Sequence, residues 1–162
     1  MVIDIISMIV SAGATIIAAI ALVNTYHSQR DALLRERKQA TIEAFNTLQS
    51  EVLDPLSNVK KSEAQLAAER HLDFDDEREI YNAFRVQIAR LEHFAVGISE
   101  GTYDYETFCK LGGEHVMYLY EKVESVITEA RNCSEKVVPF TEFENLYLKL
   151  KEKYSKKPNG EV

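Results

Sequence analysis

The sequence lacks the short motifs that most often carry enzyme chemistry. It contains no CxxC or HExxH motif, no glycine-rich loop of the P-loop or dinucleotide-binding type, and no GxSxG nucleophile elbow. None of the four histidines follows a glutamate by three residues, so the Glu-x-x-His motif of di-metal helical bundles is also missing. We therefore expect no enzyme, and the sequence predicts no catalytic residue, no cofactor and no metal site.

Cysteine is scarce and tryptophan is absent. Cys109 and Cys133 have no second cysteine or histidine at metal-binding spacing, so neither a zinc site nor a redox pair is predicted. The adjacent pairs Glu92-His93 and Glu114-His115 do not change this, because neighbouring side chains on a helix diverge by ~100° and cannot chelate one ion together. Two isolated thiols are typical of small packed side chains in a reducing compartment.

Basic residues are outnumbered by acidic ones. The formal net charge is -7, and from Thr41 onward 15 basic residues stand against 23 acidic residues. Such a surface repels phosphate backbones. We therefore do not expect nucleic acid as a partner.

A long apolar run lies near the N-terminus. Residues 5–23 are nineteen positions without a charge. As a helix rising ~1.5 Å per residue, the run reaches ~28 Å, close to the ~30 Å hydrocarbon core of a membrane. The sequence predicts an uncleaved transmembrane anchor over residues 1–24. A cleaved signal peptide is the alternative, but a signal begins with basic residues, and Asp4 stands there instead.

Basic residues follow the predicted span and do not precede it. Arg30, Arg35, Arg37 and Lys38 all come after it. Because Lys and Arg resist translocation and bind the anionic inner leaflet, the N-terminus is expected outside and the remaining chain in the cytoplasm. We expect a single-pass protein of the bacterial inner (plasma) membrane, with membrane lipid as a partner.

Small residues recur at every fourth position of the predicted span. They are Ser7, Ser11, Thr15 and Ala19. Such a stripe lets two helix backbones approach closely in lipid, so it is a candidate association face for a homo-oligomer. The alternative is that the stripe has no role, because Ser, Thr and Ala are common in spanning helices.

Beyond the span, apolar residues recur at intervals of three and four, and no strand is indicated. We expect a juxtamembrane helix over residues 25–53, a cytoplasmic helical bundle over residues 54–154 and a disordered tail over residues 155–162. The predicted fold class is all-α: a single N-terminal transmembrane helix followed by an antiparallel helical bundle of four to five helices.

Local signals predict the helix boundaries. Asp54-Pro55 indicates a kink or a new helix, Gly101 a C-terminal cap and Gly112-Gly113 a break. The T-x-x-E spacing from Thr141 to Glu144 predicts a capping box for the last helix. The predicted buried faces comprise Phe45, Leu48, Val52, Leu56, Val59, Tyr81, Phe84, Ile88, Leu91, Ala95, Ile98, Val116, Leu119, Val123, Val126 or Ile127, Ala130, Phe143, Leu146, Tyr147, Leu150 and Tyr154.

The stretch LEHFAVGISEG, from Leu91 to Gly101, resembles a bacterial domain-of-unknown-function family, number 4760. The segments Asp104–Leu111, Val116–Arg131 and Phe140–Leu150 share the resemblance, which covers roughly residues 20–150. Such proteins commonly look like a membrane helix followed by a compact helical domain. The resemblance implies no activity and no catalytic residue.

Glu92 is the candidate buried polar residue of the sequence, because it borders an apolar stripe directly after Leu91. A buried carboxylate requires partners, and Arg85 and Arg131 are candidates. One interpretation is a structural ion pair or helix cap, and the other is a general acid or base.

Three functions remain open. The first is a membrane-anchored cytoplasmic module that recruits or regulates a protein partner without catalysis. The second is an oligomerising membrane effector of the pore-forming, toxin or phage-defence type. The third, with the least support, is an enzyme with a site near Glu92.

Overall fold

The computed structural model describes the backbone of residues 2–135 and 137–156, and the side chains of residues 17–135 and 137–156. Every regular element in these ranges is a helix, and no strand occurs in them. The expected all-α fold class is therefore confirmed. The chain divides into two units, residues 1–37 and residues 38–162.

The first unit is formed by α1 (Val2–Leu48) as far as Arg37. All side chains from Ile17 to Arg37 are exposed. Within the part of the chain that the structure describes, no helix is long and apolar enough to cross a membrane. Most of the predicted span, residues 5–16, lies outside the residues whose side chains are described.

The second unit contains the end of α1 and all later helices. In chain order these are a π-helical turn (Gln49–Leu53), α2 (Asp54–Asn58), α3 (Lys61–Arg70), α4 (Asp75–Ser99), α5 (Tyr105–Asn132) and α6 (Thr141–Ser155). Helices α3, α4 and α5 pack against one another, and α6 packs against α4 and α5. The expected helical bundle is confirmed.

The apolar faces of these helices meet in one core. Phe45 from the end of α1, Phe94 from α4 and Phe108 from α5 join there, with ring centroids 5.2–6.4 Å apart. The predicted faces are buried at most positions, with only Val59, Tyr147 and Tyr154 partly buried. Burial of this kind is expected, because an amphipathic helix gains stability mainly by removing its apolar stripe from water.

The region around Pro55 matches the prediction in part. A new helix begins at Asp54, as expected. Pro55 has no N–H to donate, and in a regular α-helix its ring would clash with the carbonyl of Glu51. The wider π-helical turn just before Pro55 leaves room for the ring. A second break, which was not predicted, lies at Val59 and Lys60, where the backbone is extended.

Two glycines shape the later helices. Gly101 adopts φ 71° and ends α4, as predicted for a C-terminal cap. The break predicted at Gly112-Gly113 is instead a kink inside α5, which continues to Asn132. A Cβ atom on Gly112 would lie 2.5 Å from Cζ of Phe45, so the glycine is needed for this close approach.

The last described helix ends where the predicted tail begins. Helix α6 extends to Ser155, and Lys156 caps it. The rest of the predicted tail, residues 157–162, lies outside the described residues.

Candidate functional site

The described N-terminal part of α1, residues 17–37, is here called the stem. It exposes large apolar side chains to an unusual degree, for example 70% of Ile17 and 75% of Leu22. Its large exposed apolar residues are Ile17, Ile20, Leu22, Val23, Tyr26, Leu33 and Leu34. Apolar surface of this extent on one helix is typical of helices that contact lipid or another protein.

Only one residue of the predicted association face has a described side chain. Ala19 is exposed on the stem. The side chains of Ser7, Ser11 and Thr15 lie outside the described residues.

The basic residues predicted to bind the inner leaflet are all exposed. Arg30 and Arg35 lie on the stem together with Arg37, and Lys38 is the first residue of the second unit. Exposed Lys and Arg side chains can reach phosphate headgroups with their charged ends while their methylene groups cover apolar surface.

Glu92 is half-buried on α4 and points at the start of α6. Its two carboxylate oxygens accept the backbone N–H groups of Glu142 at 3.1 Å and Phe143 at 2.7 Å. The first N–H groups of a helix have no partner within the helix and carry partial positive charge, so a carboxylate satisfies them well. This arrangement is a helix cap, and it lends no support to an acid–base role.

The two arginines proposed as partners of Glu92 have other contacts. Arg131 donates to the carbonyls of Pro139 and Phe140 and pairs with Glu144 at 2.9 Å. Arg85 lies over the ring of Tyr81, 5.8 Å from its centroid.

The predicted capping box at the start of α6 is wrong. The N-cap residue is Phe140, in a left-handed conformation with φ 62°, and it has no side chain that could cap. Thr141 Oγ1 donates to the carbonyl of Val138, and Glu144 is engaged in its ion pair. The long-range cap from Glu92 takes the place of the local one.

A shallow groove of about 450 Å³ lies between the end of α1 and α4. Glu51 and Arg90 form an ion pair at its edge, with 2.5 Å between Oε2 and Nη1, and both side chains are about half exposed. His93 and Tyr103 also line it. The Glu51 groove, as we call it, combines apolar and charged groups.

A second cleft, of about 790 Å³, opens beside the kink of α5. Tyr154 donates to the carbonyl of Cys109 at 3.1 Å across it. Next to it, burial raises the pKa of Tyr105 far above its ordinary value. The ammonium groups of Lys149 and Lys153 lie 4.1 and 5.2 Å from the Tyr105 ring centroid, and such contacts stabilise packing.

One group of potential metal ligands occurs among the described residues. His71, directly after α3, lies beside Glu129 of α5 and Cys133, the residue directly after α5. One ligand atom from each falls within 4.8 Å of the others. His71 Nε2 is 3.9 Å from Glu129 Oε1, and the Cys133 thiol donates to the same oxygen at 3.3 Å. That hydrogen bond raises the pKa of Cys133 above its ordinary value. We call these three residues the His71 cluster.

Tyr81 of α4 completes the surroundings of the His71 cluster. Its ring stacks on the His71 imidazole, with centroids 4.1 Å apart and planes at 23°. Burial raises the pKa of Tyr81, and the charges of Cys133 and Glu129 add to this while Arg85 opposes it. The Tyr81 hydroxyl is buried and makes no hydrogen bond to any described residue.

The His71 cluster was not predicted from the sequence, because its members come from separate helices. Glu129 and Cys133 are four residues apart and therefore share one helix face. That spacing indicates two potential ligands on one helix. His71 lies 58 residues before Glu129, and only the packing of the helices brings it near.

A protein-family model, the domain of unknown function DUF4760, matches residues 7–150. Comparison with curated proteins and with solved structures gives no match.

Proposed function

The chain belongs to the DUF4760 family, and we propose that it is a membrane-anchored helical module that recruits or regulates a protein partner without catalysing a reaction. In this proposal residues 1–24 are a single-pass anchor with the N-terminus outside. The helical bundle lies at the cytoplasmic face of the inner membrane, where Arg30, Arg35, Arg37 and Lys38 bind anionic lipid.

The exposed apolar side chains of the stem carry this proposal. Ile17, Ile20 and Leu22 are each more than half exposed, and they continue the uncharged run that begins at Ile5. Apolar surface left in water costs roughly 25 cal/mol per Å², so a helix with such residues requires lipid or a partner around it. The basic residues directly after the run support lipid as the surrounding medium.

The bundle supplies the surface for a protein partner. The Glu51 groove offers the half-exposed ion pair of Glu51 and Arg90 beside apolar side chains. Charged pairs at an interface set specificity and association rate more than affinity. We therefore expect the groove to bind a protein that presents one acidic and one basic side chain to Arg90 and Glu51.

The anchor is tested by fractionation of the full-length chain in a bacterial host. We expect it in the membrane fraction, resistant to extraction at high pH, whereas a variant without residues 1–24 should be released. The exposed Cys133 thiol should react with an impermeant maleimide only after the inner membrane is opened. Full-length protein in the soluble fraction after gentle lysis would contradict the proposal.

The partner is tested by crosslinking in intact membranes. Glu51→Arg alone should reduce the crosslinked product, because it places two cations together in the groove. The exchanged double variant Glu51→Arg with Arg90→Glu restores the internal ion pair and controls for folding. If the single variant crosslinks as well as the parent chain, the groove is not the partner surface.

The alternative, an oligomerising membrane effector, is favoured by the stripe of Ser7, Ser11, Thr15 and Ala19. Replacing Ser11 and Thr15 by Leu should abolish association of copies and any toxicity to the host. Ile9→Leu, at a position outside the four-residue stripe, is the control. Unchanged association in the Ser11 and Thr15 variant would remove this alternative.

A further inference from the structure

We propose that His71, Glu129 and Cys133 form a binding site for one divalent transition-metal ion, with Zn²⁺ as the best chemical match. This inference does not depend on the membrane anchor or on the proposed partner. It rests on the geometry of the three side chains and on the chemistry of their ligand atoms.

The distances in the His71 cluster fit a tetrahedral ion. Zn–N, Zn–O and Zn–S bonds of ~2.0–2.3 Å at tetrahedral angles place ligand atoms roughly 3.4–3.6 Å apart. Nε2 of His71 is 3.9 Å from Oε1 of Glu129, and Sγ of Cys133 is 3.3 Å from the same oxygen. The ligand atoms of His71 and Cys133 are also within 4.8 Å of each other. Binding of one ion would therefore draw the three atoms closer together.

The imidazole of His71 is prepared to act as a ligand. Its Nδ1 lies 3.0 Å from the carbonyl oxygen of Ala68, which can only accept a hydrogen bond. Nδ1 can donate to this oxygen, and in that tautomer Nε2, which faces Glu129, is the ring nitrogen available to an ion. A histidine ligand held by a hydrogen bond from its other ring nitrogen is the usual arrangement in metal sites.

The chemistry of the donor set selects the class of metal. One imidazole, one carboxylate and one thiolate are the ligand types of Zn²⁺, whereas Mg²⁺ and Ca²⁺ bind oxygen ligands. When the Cys133 sulfur binds the ion, its thiol proton passes to solvent. The neutral imidazole and two anionic ligands then balance the charge of a divalent ion.

The His71 cluster is closed on its buried side and open to solvent on the other. His71 is buried, Glu129 is half-buried and Cys133 is exposed, so an ion can enter from solvent. Three protein ligands leave a fourth position open for water. The ring of Tyr81 covers His71 on one side, and its buried hydroxyl has no hydrogen-bond partner among the described residues.

Cobalt binding to the full-length chain tests the proposal directly. Co²⁺ should bind with one equivalent and produce both the thiolate charge-transfer band and the visible bands of a tetrahedral ion. Cys133→Ser, at an exposed position that should not affect folding, should remove the charge-transfer band. Cys109→Ser is the matched control, because it removes the other cysteine and should leave both bands unchanged.

Zinc affinity provides the second measurement. Competition with a chromophoric chelator should show that Glu129→Gln and Cys133→Ser each weaken Zn²⁺ binding by roughly tenfold or more. At the same Zn²⁺ concentration the thermal midpoint of the parent chain should rise more than that of Cys133→Ser, because a ligand stabilises the state that binds it in proportion to its affinity. No cobalt band, a band lost in Cys109→Ser instead, or undiminished zinc affinity in Cys133→Ser would each overturn the proposal.

Discussion

The carboxylate of Glu92 accepts the backbone N–H of Phe143 at 2.7 Å, although the two residues are 51 positions apart. A side chain from α4 thereby caps α6, whose own N-cap residue, Phe140, cannot do so. The contact joins two helices that also share the apolar core. We expect it to contribute to the stability of the whole bundle and to fix where α6 begins.

Removing the Glu92 cap should destabilise the fold. Glu92→Ala leaves two helix N–H groups without their acceptor and should lower the free energy of unfolding by about 1–3 kcal/mol. Glu92→Gln keeps one acceptor oxygen and should cost less. Urea denaturation measures both, with the exposed Glu79→Gln of the same helix as control, expected within about 0.5 kcal/mol. A Glu92→Ala variant as stable as the control would show that the cap is dispensable.

Asp104 should make stability depend on pH in the acid range. Its Oδ1 accepts the hydroxyl of Thr107 at 2.6 Å and the backbone N–H of the same residue at 2.8 Å. These hydrogen bonds lower the pKa of Asp104 below its ordinary 3.8, and the one from the Thr107 hydroxyl has the larger effect. Because the folded-state pKa is the lower one, the contribution is present above the unfolded-state pKa and is lost as pH falls through the folded-state value.

Asp104→Ala should therefore cost about 1 kcal/mol at pH 7, and its deficit relative to the parent chain should shrink below about pH 4. Asp104→Asn is the control, because Asn is an equally good N-cap that does not titrate. Urea titrations at a series of pH values provide the comparison. A deficit of Asp104→Ala that stays constant down to pH 2 would contradict this account.

Gly97 should not tolerate a side chain. A Cβ atom there would overlap Cε2 of Tyr103, whose ring stacks on Phe94 with centroids 5.1 Å apart. Gly97→Ala should lower the free energy of unfolding by about 1–3 kcal/mol, because the ring must leave its packed position. In a Tyr103→Ala background the same change should cost much less. Equal costs in the two backgrounds, measured by thermal unfolding, would exclude the clash as the cause.

Lys122 should be needed for the end of α2. Its buried ammonium donates to the carbonyls of Leu56 at 3.1 Å and Ser57 at 2.9 Å. Lys122→Met keeps most of the side-chain volume but leaves both carbonyls without this donor, which should cost about 1–3 kcal/mol. The exposed Lys110→Met of the same helix is the control for urea denaturation. Similar stabilities of the two variants would mean that water replaces the ammonium without loss.

Several features of the bundle could be predicted because they depend on neighbours in the chain. Apolar residues at helical spacing, such as Phe84, Ile88 and Leu91, are buried where the pattern placed them. Gly101 ends α4 in the left-handed conformation that glycine adopts most easily. The T-x-x-E pattern at Thr141 was misleading. The N-cap residue of α6 is Phe140, and Glu92 accepts the first N–H groups of the helix instead.

The amino-acid sequence by itself determined that the chain is helical, which faces of its helices are buried, and that its surface is acidic, because these properties follow from the 3.6-residue period and from composition. Only the tertiary structure decided that Glu92 meets Phe143 and that His71 meets Glu129 and Cys133. Such pairs depend on how helices far apart in the chain are aligned when they pack, and a shift of one turn, about 5.4 Å, would separate them.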